Sequence, residues 1–409
     1  MPPFETNRRR FLAGGISLAA GAALARTARG LAFDDEPRTL VLVQLTGGND
    51  GLNTVVPYAD DAYHAARRTL GLAPGAVLRL DERVGLHPSL AGLRRIYDAG
   101  ELAVVQGVGY EDAVRSHFKS YEIWHTARSA GRASGDGWVA RLVEAAWADA
   151  PGELVVHVGR EAPYSVYSST RPAVALDSPS AYRWFGDAGQ SELGGCALDP
   201  AGAGGTPQPA PGRDALLAKL RGVQRDARSS SARIQRAALD YRPSVEYPRN
   251  GRLGAALRDV AALIHGGLGT RVFSTAIGSF DTHANQESDH ARLLAELDGA
   301  LAAFQRDLAA SAAGRRTLVM VFSEFGRRVA ENGSRGTDHG KAGPMFLLGP
   351  AVEGGLHGAH PSLTDLDDGD LAHTVDFRSV YATVIERWFG VPHETVLGAR
   401  YETQPLLRA

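Results

Sequence analysis

Six short apolar runs mark the chain: TLVLVQLTG (39–47), ELAVVQGVG (101–109), GELVVHVGR (152–160), RVFSTAIG (271–278), RTLVMVFS (316–323) and GPMFLLGP (343–350). Each has a continuous apolar centre bounded by glycine or polar residues, the pattern of a strand buried on both faces. Between them lie stretches with helical period: SLAGLRRIYDAG with its glycine stop, GWVARLVEAAWADA, AALRDVAALIHGG and the long HARLLAELDGALAAFQRDLAAS. The tail DFRSVYATVIERWFG predicts a further helix, with Phe377, Val380, Val384 and Trp388 on its apolar face. Strands alternating with helices predict an α/β fold whose largely parallel sheet is covered on both sides.

Composition supports that core and narrows the chemistry. The 409 residues are 44% hydrophobic, enough for one large α/β domain. Formal charge is −2, so no basic excess points to nucleic acid or an anionic membrane. The one cysteine, Cys196, rules out an internal disulfide and a thiolate cluster; any metal must be held by His and carboxylate groups. The stretch GGCALDPAGAGGTPQPAPGR, 194–213, is either a surface excursion or a domain boundary; candidate site residues on both sides of it favour an excursion within a single domain, 31–409.

Residues 1–30 read as a targeting segment. Arg8-Arg9, followed by Arg10, Phe11 and Leu12, resembles the twin-arginine export signal. The Gly/Ala-rich run to Leu24 is short for a membrane span, and Ala23-Leu24-Ala25 offers a small-residue cleavage site. The expectation is passage through the twin-arginine translocase to a periplasmic or secreted location, with no stable membrane span in the mature chain.

Ligands in open α/β sheets bind beyond the carboxyl ends of the strands. Three of the predicted strands run out onto an acidic residue: Asp50 after the first, Asp281 with His283 after RVFSTAIG, and Glu324 with Arg327 after RTLVMVF. Asp338 and His339 precede GPMFLLGP, so they reach the same rim only if that strand runs in the reversed sense, as edge strands of such sheets often do. Each residue has a plainer reading: Asn49-Asp50-Gly51 is a turn former, Asp281 can cap a helix, and Glu324 suits a helix start. Together, these carboxylates would be costly to bury without a cation. Oxygen and imidazole donors suit one or two divalent ions of zinc, manganese or magnesium.

Ser116, in VRSHFKSYEIWHTA, falls at the predicted start of a helix. It is either the helix cap or a nucleophile beside the metal, where a helix N-terminus also attracts anions. Arg115 and Arg327 are candidates to hold nonbridging oxygens. His117, His125 and His290 read as packing or outer-layer residues.

The motifs LTGGNDGLN, RSHF…W, GSFDTHANQ, FSEFGR, TDHGKAGPMFLLG and DFRSVYATVIERWFG together resemble the bacterial domain-of-unknown-function 1501 family, over about residues 38–400. That family is grouped with the alkaline-phosphatase-like superfamily of phosphatases, sulfatases and phosphomutases. The resemblance implies a three-layer α/β/α sandwich, a two-metal site, and hydrolysis of small-molecule or glycan esters of phosphate or sulfate. It assigns Asp50, Asp281, His283 and His339 to the metals and Ser116 to the attack. The pattern departs at Glu324-Phe325, where the superfamily has Asp-His, so one ion has fewer ligands or draws on Asp338. A non-catalytic envelope binding or assembly protein with this fold is the alternative.

Overall fold

Strand β1 (Thr39–Leu45) is buried at all seven positions, as its unbroken apolar run predicts. The computed structural model describes residues 37–129, 135–150, 152–182 and 228–408; the arginine-rich N-terminus and the stretch 194–213 lie outside the described residues. Eight further strands join β1 in one sheet: β2 (Leu102–Gly109), β3 (Val155–Val158), β4 (Val174–Leu176), β5 (Val272–Ile277), β6 (Thr317–Ser323), β7 (Gly343–Leu348), β8 (Gly355–His357) and β9 (Val375–Asp376). Their order is β8-β2-β7-β6-β1-β5-β3-β4, with β9 paired to β2.

Strand β1 lies between β5 and β6 and is parallel to both. Only β7 is reversed, antiparallel to β6 and to β2. It supplies the reversed strand that His339 requires. All six apolar runs form sheet strands. The three unforeseen strands, β4, β8 and β9, are two or three residues long, too short to show a period in sequence.

The alternation along β1 divides the core. Leu40 and Leu42 face a cluster with Trp124, Trp138, Leu142, Phe377 and Tyr381, drawn from α2 (His117–Thr126), α3 (Trp138–Trp147) and α6 (Phe377–Thr383). Val41, Val43 and Leu45 face Leu93, Leu257, Leu297 and Phe304, drawn from α1 (Ala91–Asp98), α4 (Leu253–His265) and α5 (Gln286–Ala309). Helices thus cover both faces, giving a three-layer α/β/α arrangement. The predicted tail helix changes pitch: α6 gives way to a π turn over Val384–Trp388, and Trp388 Nε1 donates to the carbonyl of Thr39 at 3.2 Å. Among the described residues no helix is long and apolar enough to cross a membrane.

Candidate metal centre

The sheet brings four chain ends to one rim. Leu45, the last residue of β1, is level with Ile277 of β5 and Ser323 of β6, and Gly343 at the start of β7 is level with Val108 near the end of β2. The loops carrying Asp50, Asp281, Glu324 and His339 leave from this edge. They pack so closely that Gly47 and Gly48 have no room for a side chain: a Cβ on Gly47 would fall 2.4 Å from the Asp281 nitrogen, and one on Gly48 2.3 Å from the Phe325 ring. Both glycines also have φ in the left-handed region, at 118° and 76°.

Arg327 ties these loops together. Its side chain is fully buried; it donates to the carbonyls of Gly47, Gly48 (2.6 Å), Thr337 (2.8 Å) and Phe280 (3.0 Å), and to Asp281 Oδ1 at 2.7 Å. It therefore braces the rim from inside and is not placed to clamp a substrate. Arg115 is likewise engaged, with Nε on Asp370 at 2.7 Å and Nη2 on Asp368 at 2.9 Å.

Three imidazoles converge on Asp281. His339 Nε2 and His283 Nε2 each lie 3.0 Å from Asp281 Oδ1 and 3.0 Å from one another. His117 Nε2 lies 3.6 Å from Oδ2. The other ring nitrogen of each histidine meets an oxygen: Nδ1 of His117 meets Glu324 at 2.8 Å, that of His283 meets Asp338 at 3.1 Å, and that of His339 meets the Arg115 carbonyl at 2.9 Å. Carbonyls and ionised carboxylates only accept, so each neutral ring carries its proton on Nδ1. The Nε2 lone pairs of His283 and His339 then point at one another and at Asp281, and that of His117 faces the second oxygen of the same carboxylate. That arrangement repels itself unless a cation sits among them.

The charges agree. Burial pushes the Asp281 carboxyl up, but Arg327 and His339 outweigh it and hold the group at about 2. The hydrogen bond to Glu324 raises His117, against the opposing effect of burial. Glu324 is fully buried and also accepts from the Gly47 N–H at 2.8 Å and Ser323 Oγ at 3.1 Å. It stands behind His117 as an orienting partner, and Asp338 stands in the same relation to His283. Four non-glycine residues with left-handed φ lie in the loops around this cluster: Asp112, Ser279, Asn285 and Arg335. Such backbone costs about 1–3 kcal/mol per residue and persists where surrounding structure enforces it.

The donor set fits a divalent ion. Zinc–ligand distances near 2.0 Å give a tetrahedron with edges of about 3.3 Å. His283 Nε2, His339 Nε2 and Asp281 Oδ1 lie 3.0 Å apart, close to that edge, and His117 Nε2 lies 3.6 Å from the other oxygen of Asp281. Ligand-capable atoms of His117, Asp281 and His339 all lie within 4.8 Å of one another. Each imidazole already has the outer hydrogen bond that metal-bound histidines carry. The set is richer in nitrogen than magnesium prefers and suits zinc or manganese.

Asp50 is not in this group. Its carboxylate is fully buried and grasped by Arg67 on both oxygens, at 2.6 and 3.1 Å, with Gln286 donating as well. Burial alone would raise its pKa; the Arg67 charge and hydrogen bond lower it instead. The cation that a buried carboxylate requires is here a guanidinium.

Ser116 is the N-cap residue of α2, yet its hydroxyl caps no N–H; it is exposed and sits between Arg115, whose carbonyl holds His339, and His117. His125 is buried against Gln44 at 2.9 Å and His290 against Asn49 at 2.9 Å, and burial lowers both to about 4. They are packing residues, as the sequence suggests. His117 had been assigned to the same class, and Arg67 and Gln286 carried no signal. The cue for His117 was its place directly after Ser116, at a helix start following a strand.

A search of curated proteins finds no match. Among solved structures, a protein in the alkaline phosphatase superfamily from Vibrio parahaemolyticus is 11% identical, with a TM-score of 0.38 over 83% of this chain and 68% of that one. A sulfatase from Pseudoalteromonas sp. is 8% identical, with a TM-score of 0.39 over 95% of this chain and 77% of the other. The C-terminal periplasmic domain of EptC from Escherichia coli, in complex with zinc, is 12% identical, with a TM-score of 0.37 over 77% and 73%. The family model described as "Protein of unknown function (DUF1501)" matches residues 220–399, a span that contains Asp281, His283, Glu324, Asp338 and His339 and stops short of Asp50, Ser116 and His117.

Proposed function

We propose that the chain is an exported, metal-dependent hydrolase of phosphate or sulfate esters, a member of the DUF1501 group with an alkaline-phosphatase-like fold. One observation carries this reading: three imidazoles converge on Asp281, and one of them, His117, directly follows Ser116, whose hydroxyl caps no helix N–H. His117, His339 and Asp281 would hold one divalent ion, with His283 beside them, 3.0 Å from Asp281 and from His339. Such an ion supplies positive charge for an ester oxygen and favours ionisation of a nearby hydroxyl.

The protein's own groups do the rest. Ser116 opens a ten-residue helix, whose free N–H groups favour a tetrahedral anion at that end. Its Oγ attacks phosphorus or sulfur, the bond to the ester oxygen breaks, and the serine proton ends on the departing alcohol. Water then releases the acid and restores the serine. Glu324, Asp338 and the Arg115 carbonyl keep the three rings turned inward throughout.

Ser116→Ala is expected to lower turnover of aryl phosphates or sulfates by at least about 10³-fold with zinc affinity unchanged. Equal turnover by the variant removes Ser116 from the chemistry. A second reading, a non-catalytic binding protein of the cell envelope, is favoured by the Arg67 guanidinium at Asp50, which leaves one cation site where the resemblance implies two. Metal binding with no turnover on either ester class selects it.

Export rests on Arg8-Arg9 and the apolar run after them. Exchanging both arginines for lysine should leave the protein in the cytoplasm of a host with a twin-arginine translocase. Fractionation reads the outcome, and undiminished export of the double variant argues for another route.

A further inference from the structure

One of the three inward-turned histidines, His339, depends on a loop that has little structure of its own. The Arg115 carbonyl orients His339, yet residues 110–116 form no helix or strand and include Asp112 in the left-handed region. Something outside the loop must fix that carbonyl. The structure shows what does so. Arg115 reaches across to the hairpin Leu366–Asp367/Asp370–Leu371, where Asp370 is fully buried and accepts Nε at 2.7 Å and Nη2 at 2.5 Å. The turn of that hairpin, Asp368-Gly369, has both φ values positive, at 54° and 80°, as a tight two-residue hairpin requires. Leu371 anchors it in a small apolar cluster with Val329, Ala342 and Leu363.

The same carboxylate faces a second arginine. Arg328 Nε lies 3.6 Å from Asp370 Oδ1, and the Arg328 N–H donates to the Asp338 carbonyl at 3.0 Å. Asp338 in turn holds His283 through its side chain. One buried acid, some thirty residues beyond the last candidate ligand, therefore stands behind both His339 and His283.

We infer that Asp370 is a positioning residue for the metal centre, acting through Arg115 and Arg328 to fix the rings of His339 and His283. This rests on the metal-binding reading above. Outer partners of this kind typically contribute about 10–100-fold in metal affinity.

The test uses the full chain with zinc and cobalt(II) as probes. Asp370→Asn and Arg115→Gln are each expected to weaken zinc binding by about tenfold. The double variant should lose little more than the weaker-binding single one, because both break one link. The visible spectrum of the cobalt form should change in each, which a loss of general stability alone would not produce. Asp370→Glu, which keeps the charge, serves if Asp370→Asn fails to fold, as judged by circular dichroism of the metal-free protein. It should bind zinc more weakly than wild type and keep part of the spectrum. Asp367→Asn, whose carboxylate meets only Lys341, is the control and should match wild type. Variants that fold, bind zinc within twofold of wild type and keep its cobalt spectrum overturn the inference while leaving the metal centre standing. A wild-type chain that takes up neither ion at micromolar concentration overturns both.

Discussion

His117→Ala should weaken zinc binding by at least about 100-fold, beyond the 10–100-fold range typical of outer partners. The expectation follows from the tautomer. Glu324 accepts the Nδ1–H, so Nε2 keeps its lone pair free for a metal, and it faces Asp281. Glu324→Gln should fall between wild type and His117→Ala, because the amide can still meet the ring but no longer supplies charge behind it. Competition against a chromogenic chelator measures all three. An unaltered affinity in His117→Ala would leave His283, His339 and Asp281 as the whole donor set and make His117 a neighbour of Ser116 only.

Arg67→Met should be the most destabilising single change at the rim. It leaves the Asp50 carboxylate buried without its counter-charge, a defect that typically costs about 3–5 kcal/mol. Combining it with Asp50→Asn should recover part of the loss, since the amide carries no charge to bury. The pH dependence has a definite sign. Arg67 holds the Asp50 pKa below its ordinary value of 3.8, so the stabilisation is complete above that value and fades as pH falls through the lower folded one. The gap between wild type and Arg67→Met should therefore narrow as pH falls toward and then through 3.8, because the carboxyl takes up a proton first in the variant, where burial favours the neutral form, and only later in wild type. Chemical denaturation across that range reads it. A penalty near zero at neutral pH would mean that water or Gln286 already solvates Asp50.

The apolar runs made the sheet legible because buried strands leave an unmistakable mark: TLVLVQL has no polar face to confuse with a helix. The reversed strand was legible for another reason, since His339 precedes its strand and the other candidates follow theirs. What sequence could not separate was inner from outer carboxylates. Asp281, Glu324 and Asp338 all follow or precede strands at the same edge, and only the direction of each imidazole nitrogen sorts them. Asp50 shows a related limit of the sequence. That a buried acid needs a cation was correct, but the cation is Arg67, in a run of ordinary helix composition seventeen residues on. Arg327 showed its charge in the sequence and hid its task, which is to bind carbonyls.

The order of the sheet bears on how the polypeptide is made. Strand β1 emerges first from the ribosome, but its two neighbours, β5 and β6, begin at residues 272 and 317. Until residue 272 and those after it have been made, this fully buried strand has no permanent partner, and contacts so distant along the chain form slowly. Completion of the sheet must wait until Asp376 has been made, and an unfinished chain would expose a sticky edge meanwhile. The export route proposed above, which accepts finished proteins, would suit such a molecule better than one that threads it through while still unpaired.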